Sequence, residues 1–506
     1  MVRQNFPQLA IKICILLTGF AGIVAEYLLS TLASYFLGDT IFQWTITISL
    51  MLFAMGIGAK LSMHIKDNRL LEALFITELI ISLLVSFSVI IAYFNAAYPD
   101  RIEITIYGLV FCIGLFIGGE IPLAVRINNR FETLKQNIAH ILEKDYIGAL
   151  LGGILYAYLF LPKLGLTYTP LIAGSLNFAV AGLILFVFYK RLLSFIKWLY
   201  VFSGVILIFY ACLTQPLFLY AEQRLFRDPI VYVQQTPYQR IVLTKWREHY
   251  FLYLDGHLQL ATIDEKRYHE TLVHIPMCLV SKPQKVLIIG GGDGFALREV
   301  LKYQVEQVIL VDIDKDVVHF SATHPVMCKF NAHSFEDKRV KCVFRDGFSF
   351  VQKDKNVYDV IIIDVTDPKT PSAARLYTQE FYLYCQKLLN KNGILITQAT
   401  SPFFAQKAFC SILKTVASAG FYVYPLKMEV PTFGEWGFVL AAKQKLDIPK
   451  QILAHFDERK TNYLTKELAL AAFFMEKGFS CQGVKINSLR KLTLLDYYQS
   501  KLWELY

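Results

Sequence analysis

Metal-type spacing of cysteine and histidine is missing from this chain. Its nine cysteines are scattered and include no CxxC pair, which excludes the usual zinc and thiol-redox arrangements. They read as reduced, mostly buried thiols, as in a cytosolic protein. Low-complexity tracts and clear internal repeats are missing too, which excludes arrays and solenoids. After residue 220 there is no basic stripe interleaved with aromatics, so the net charge of +10 does not point to nucleic acid. The first long apolar run has no small-residue cleavage site behind it, and more such runs come after it, so it is not a removed signal peptide.

What is present is apolar and unevenly spread. Hydrophobic residues make up 55% of the chain and mean hydropathy is +0.41. The excess lies before residue 220; the rest reads as a soluble α/β protein. A membrane span needs ~20 apolar residues. Seven runs qualify: 9–36, 41–62, 70–94, 104–125, 146–164, 171–189 and 198–219. Lys60, Lys66 and Arg69 follow the second, Arg126, Arg130, Lys135 and Lys144 the fourth, and Lys190, Arg191 and Lys197 the sixth. Such loops stay cytoplasmic and meet anionic lipid, which also puts the N-terminus inside. Two acids lie in these runs, Glu26 and Glu120. A carboxylate in hydrocarbon is costly, so each is either a cation site or a structural group bonded between helices.

The stretch KVLIIGGGDGFALREVLKYQVEQVILVDID, from Lys285 to Asp314, reads as strand, glycine turn, helix and strand. Glycines such as Gly290 and Gly292 let a backbone pass close under a nucleotide. Asp312, about twenty residues beyond the turn, is placed for ribose hydroxyls. Asp293 lies inside the turn and would repel a phosphate, so a cationic nucleoside such as a sulfonium fits better than a dinucleotide.

Strands and helices alternate on both sides of this unit. Residues 229–260 read as short strands with Asp255-Gly256 as a hairpin turn. A helix from 264 to 278 carries Tyr268 and His269. Further strands end at Asp346-Gly347 and at Asp364-Val365-Thr366-Asp367-Pro368. The alternation predicts a parallel, doubly wound sheet with its ligand site beyond the carboxyl ends of the strands. Asp293, Asp312, Asp346, Asp364 and Asp367 all fall there. Converging carboxylates need a compensating cation. Without a metal-type ligand set, an organic polycation is expected and no metal. Asp364 is the first polar group off a buried strand, a setting that raises a carboxyl pKa and suits a general base.

These motifs resemble the polyamine aminopropyltransferases, the spermidine synthase family. LDGHLQL, DEKRYHE, KVLIIGGGDG, VDID, RDG, DVIIIDVTDPKTP and VPTFGEWGF run in that family's order between about Tyr238 and Lys443. The apolar front half is similar to the membrane domain of some bacterial members. TNYLTKELALAAF and VKINSLRKLTLLDYY resemble their C-terminal extension. The resemblance implies four parts: a multi-pass α-helical membrane domain (1–220), a small β subdomain (221–262), a Rossmann-like, methyltransferase-type α/β domain (263–445) and an extension (446–506).

It also implies a reaction. Decarboxylated S-adenosylmethionine, a co-substrate with no prosthetic group beside it, gives its aminopropyl group to a diamine such as putrescine. The products are spermidine and methylthioadenosine. By the same resemblance Asp364 is the proton acceptor, and Asp367, Asp293, Tyr268 and His269 hold amines. Asp312 takes the ribose, Asp346-Gly347 and Pro371 meet the adenine, and Gln239 reaches the thioether end. One position departs: Phe433 stands where the family has tyrosine, whose hydroxyl helps hold the acceptor. The competing readings are an S-adenosylmethionine-dependent amine methyltransferase and a polyamine transporter or sensor. The expected setting is the inner membrane, and the expected assembly a dimer or tetramer. Sidedness is in conflict. Seven spans put the catalytic half outside, whereas a cytosolic donor puts it inside. The expectation is a cytoplasmic catalytic half, reached if one run is re-entrant or if 9–36 crosses twice.

Overall fold

The computed structural model describes residues 2–38 and 40–498. They form two compact units, Met1–Ile230 and Val231–Tyr506. The extension expected over 446–506 therefore ends beyond the described residues.

The first unit is helical: α1 (Val2–Leu37), α2 (Thr40–Ser62), α3 (Leu70–Ala96), α4 (Pro99–Asn128), α5 (Leu134–Leu155), α6 (Gly165–Phe188) and α7 (Ser194–Gln223). A wide π-helical turn, Tyr156–Leu164, links α5 to α6. Among the described residues, six helical stretches are long and apolar enough to cross a membrane. The fifth, Leu134–Phe188, has 55 residues. It breaks at Gly165, whose φ of 60° and ψ of −166° are not helical.

Two layers of core show how the chain runs. One holds Ile11 and Ile15 of α1, Leu70 and Leu74 of α3, Leu123 of α4, Ile141 of α5, Ile184 of α6 and Ile196 of α7. The other holds Leu28, Val89, Ile106, Tyr156, Ala173 and Phe218. So α1, α3, α5 and α7 run from the first layer to the second, while α4 and α6 return. Polar contacts agree: Lys12 meets Glu132 at 2.6 Å near one end, and Thr31 meets the Tyr156 hydroxyl at 2.7 Å near the other. Glycine permits the close approach of α1 and α5, since a Cβ at Gly148 would lie 2.0 Å from the Leu16 carbonyl. Arg126 donates to the Ser62 and Ile65 carbonyls, which ties the first two basic loops together at the N-terminal end. At the opposite end Arg224, just past α7, reaches the Tyr98 hydroxyl at 3.3 Å.

This arrangement corrects one expectation. Run 9–36 is not two shorter segments; α1 is a single helix, because nothing in it breaks the hydrogen-bond ladder after Pro7. With the reversal at Gly165, the unit begins at one end and finishes at the other. Glu120 is buried and lies beside Asp145. The sequence reading did not weigh Glu78, which is buried in α3 with neither carboxylate oxygen hydrogen-bonded.

The second unit opens on a four-stranded sheet: β1 (Ile230–Gln235), β2 (Arg240–Trp246), β3 (His249–Leu254) and β4 (His257–Ala261), in that spatial order. Asp255 and Gly256 both take positive φ, 48° and 76°, so the hairpin turn lies where expected. Helix α8 (Glu265–Cys278) leads into β5 (Lys285–Gly290), α9 (Phe295–Val300), β6 (Gln307–Asp312), α10 (Lys315–Thr323), β7 (Val340–Phe344), β8 (Tyr358–Asp364), β9 (Leu389–Gln398), β10 (Tyr422–Val430) and β11 (Gly434–Ala442). The large sheet runs β10-β11-β9-β8-β5-β6-β7. Alternate residues of β5 feed two cores: Val286 and Ile288 face one, Leu287 and Ile289 the other. Both faces are therefore covered, as a parallel centre requires.

Two further expectations are corrected here. The sheet is mixed: β5 to β9 pair in parallel, but β11 is antiparallel to both β9 and β10. Only Pro431, Thr432 and Phe433 join β10 to β11, too short a link for the dozen or more residues of a parallel crossover. The cysteines are not all reduced either. Cys410, in the helix Gln406–Ser418, is bonded to Cys481, 71 residues on. The pair is invisible in the sequence because only the return of the extension over that helix brings the two together.

Candidate active site

The glycine turn is built around the acids rather than beside them. Gly290 (φ 81°) ends β5, where a Cβ would lie 2.0 Å from the Asp364 carbonyl. A Cβ at Gly292 would lie 2.6 Å from the Asp312 carboxylate. The Gly291 N–H donates to the Asp364 carbonyl at 2.9 Å. These glycines let two strand ends close on the turn, so their need is met by protein contacts already.

Asp364 ends β8 and is half-buried. The Tyr268 hydroxyl, from α8, donates to its Oδ1 at 2.7 Å. Burial first, then the neighbouring Asp293, push the Asp364 carboxyl up to about 6, against the opposing pull of His269 and Tyr268. His269 Nδ1 lies 3.0 Å from Glu265, one turn earlier. Burial opposes its charge, yet Glu265, Asp293 and Asp364 together hold the imidazole up to about 9. His269, Asp293 and Asp364 offer polar atoms within 4.8 Å of one another. Held toward its charged form, the imidazole sets one cation beside the carboxylates of Asp293 and Asp364. Asp293 Oδ1 also accepts the Phe295 N–H at 2.8 Å, which closes the turn into α9.

The remaining expected residues fall around this cluster. Asp312, at the end of β6, accepts the Asp314 N–H at 2.8 Å. Burial, then Asp314 and Asp293, raise its carboxyl to about 7. Asp346 caps the helix Gly347–Lys353 through the Ser349 N–H and pairs with Arg375. Although burial opposes this, those partners hold it below the usual carboxylate range. Pro371 begins the short helix Pro371–Ala374, with Thr370 as its cap. Asp367 is raised by burial, against donors at both oxygens. Gln239 is bonded within the protein. Its amide donates to Asp314 Oδ2 at 2.9 Å, as does the Thr236 hydroxyl at 2.7 Å, and so it fastens the small sheet to the start of α10.

Four residues of the site escaped the sequence reading. Glu265 lies four before His269 in DEKRYHE, a helical spacing that was there to be read. Asp314 follows Asp312 by two and opens a helix, the pattern of an N-cap. Gln398 and Tyr498 carried no local signal. Gln398 ends β9 and donates to Asp367 Oδ1 at 3.3 Å and to the Tyr377 hydroxyl. The Tyr498 hydroxyl donates to Asp367 Oδ2 at 2.6 Å from the far end of the extension.

Comparison with known proteins gives the family. Residues 265–451 match the spermine/spermidine synthase domain. "Polyamine aminopropyltransferase 2" of Aquifex aeolicus is 49% identical over 489 residues, covering 97% of this chain and 98% of that protein. A "Polyamine aminopropyltransferase" of Leptospira interrogans is 36% identical and covers 97% of this chain and 98% of its own. A solved spermidine synthase in complex with the transition-state analogue AdoDATO is 32% identical, with a TM-score of 0.45, over 49% of this chain and 85% of its own. The chain belongs to the polyamine aminopropyltransferase family. It is an enzyme of aminopropyl transfer, and the relatives' likeness includes the helical front half.

Proposed function

We propose that the enzyme carries the aminopropyl group of decarboxylated S-adenosylmethionine to putrescine. A nitrogen–carbon bond forms as the carbon–sulfur bond breaks. Methylthioadenosine leaves with the electron pair on its sulfur, and the amine proton passes to Asp364. The observation that carries this reading is the bond from Tyr268 to Asp364, which aims a carboxylate of raised pKa beside two further acids. A free alkylamine is protonated near pH 7, much like lysine, so a nearby base is what makes it a nucleophile. Asp367 holds the far ammonium of the diamine, and Asp293 the ammonium of the aminopropyl group. Asp312 takes the ribose; Asp346, Gly347 and Pro371 line the adenine.

Product analysis tests this. Purified full chain with decarboxylated donor and putrescine is expected to release methylthioadenosine and spermidine, read by mass spectrometry. Release of S-adenosylhomocysteine from the intact donor would instead make it a methyltransferase.

Asp293 accounts for donor choice. Its charge suits the ammonium of the decarboxylated donor and opposes the extra carboxylate of the intact one. Asp293→Asn is expected to narrow the affinity gap between the two severalfold in calorimetric titration. An unchanged ratio would remove Asp293 from discrimination.

The helical unit supports a place in the lipid bilayer, with the basic loops in the cytosol. Its odd number of passes (five single stretches, and one that turns back at Gly165) then puts the end of α7 on the far side. The Cys410–Cys481 pair favours the same side, since disulfides persist in oxidising compartments. We therefore read the catalytic half as extracytosolic, against the expectation drawn from the donor alone.

A further inference from the structure

The acceptor end of the site lacks the hydroxyl that the family's tyrosine supplies. Phe433 occupies that place, its ring 5.5 Å from Trp436, packed against the core. A hydroxyl nevertheless reaches the acceptor-holding acid from elsewhere. We propose that Tyr498, brought in by the C-terminal extension, is the residue that positions Asp367 for the acceptor amine and so sets acceptor affinity. This rests on the function proposed above and deepens it.

The geometry is specific. Asp367 has two oxygens, each with its own donor: Gln398 at 3.3 Å on Oδ1 and Tyr498 at 2.6 Å on Oδ2. The shorter bond anchors Oδ2 and leaves Oδ1 the more weakly held oxygen, the one a stronger donor such as an ammonium would take. Lys369 stands beside Tyr498, its Nζ 5.9 Å from the ring centre. Tyr498 is 7% exposed, so its hydroxyl is turned inward rather than to solvent. Burial, with Asp367 beside it, keeps the phenol protonated and hence a donor.

The extension is built to deliver this side chain. Asn487 is fully buried and bonds the Ala374 and Tyr377 carbonyls at 2.9 and 3.1 Å, the segment directly behind the site. Its own N–H donates to the Thr415 hydroxyl at 2.9 Å, and its carbonyl accepts the Gln379 N–H at 2.9 Å. Cys410–Cys481 fastens the segment at its start, and Leu494 is wholly buried one turn before Tyr498. The family match ends at residue 451, well short of this device.

Tyr498→Phe keeps the ring and removes only the hydroxyl. It is expected to raise KM for putrescine about tenfold, the loss of a hydrogen bond to a charged group, while kcat at saturating amine and KM for the decarboxylated donor stay within twofold. Calorimetry on full chain saturated with methylthioadenosine is expected to show the same loss in putrescine affinity, with methylthioadenosine affinity unchanged. An unaltered putrescine KM would overturn the proposal. So would an equal rise in both KM values, since general loosening would then be the cause. A wild-type protein that forms no methylthioadenosine would sink the proposed function instead, and the two failures are told apart by that control.

Discussion

Asp364→Asn is expected to lower turnover by ~10²–10⁴-fold, the usual contribution of a general base, with methylthioadenosine affinity kept within threefold. The exchange preserves size and the hydrogen bond from Tyr268 but removes the proton acceptor. The groups proposed for the donor lie elsewhere in the site, so binding and chemistry are expected to separate. The pH profile is the sharper readout. A base acts only when deprotonated, and the Asp364 carboxyl is pushed up to about 6. Wild-type kcat is therefore expected to hold above that value and to fall as pH drops through it. The variant is expected to lose this acid limb. Turnover above half of wild type, or the same limb in both proteins, would remove Asp364 from the proton transfer.

A C-terminal alkaline phosphatase fusion is expected to be active and a reporter confined to the cytosol silent. The result is close to all-or-none, because a domain is on one side or the other. Residues 224–230 separate the end of α7 from the catalytic unit. On the proposed bilayer placement, fully extended they reach roughly 25 Å, short of the ~30 Å hydrocarbon core, too little to bring the chain back across. The second readout is chemical. When whole cells are denatured in an alkylating reagent, Cys410 and Cys481 are expected to stay unmodified unless a reductant is added first. A silent phosphatase together with alkylated cysteines would put the catalytic half in the cytosol. If it lies outside, the nucleoside donor has to be delivered across the membrane, and the buried carboxylates Glu78 and Glu120 gain interest as groups within the passes.

Much of this enzyme was determined by local sequence. The apolar runs, the glycine turn and the acids at the strand ends all express short-range rules: the length and apolarity of the helices, backbone freedom at Gly290, and a continuous apolar strand that buries Val286 to Ile289 on both faces of the sheet. Asp364, Tyr268 and His269 could be named because each lies in a motif of a few residues. Tertiary structure decided the rest. β11 runs antiparallel to β10 because only three residues join them, and it is β11 rather than β10 that pairs with β9, a matter of chain geometry rather than composition. Gln239 donates its amide to Asp314 across 75 residues. Cys410 pairs with Cys481, and Tyr498 meets Asp367 across 131 residues. No periodicity or spacing encodes such contacts. They depend on a buried donor needing an acceptor, and which acceptor it finds is settled only when the extension folds back over the sheet.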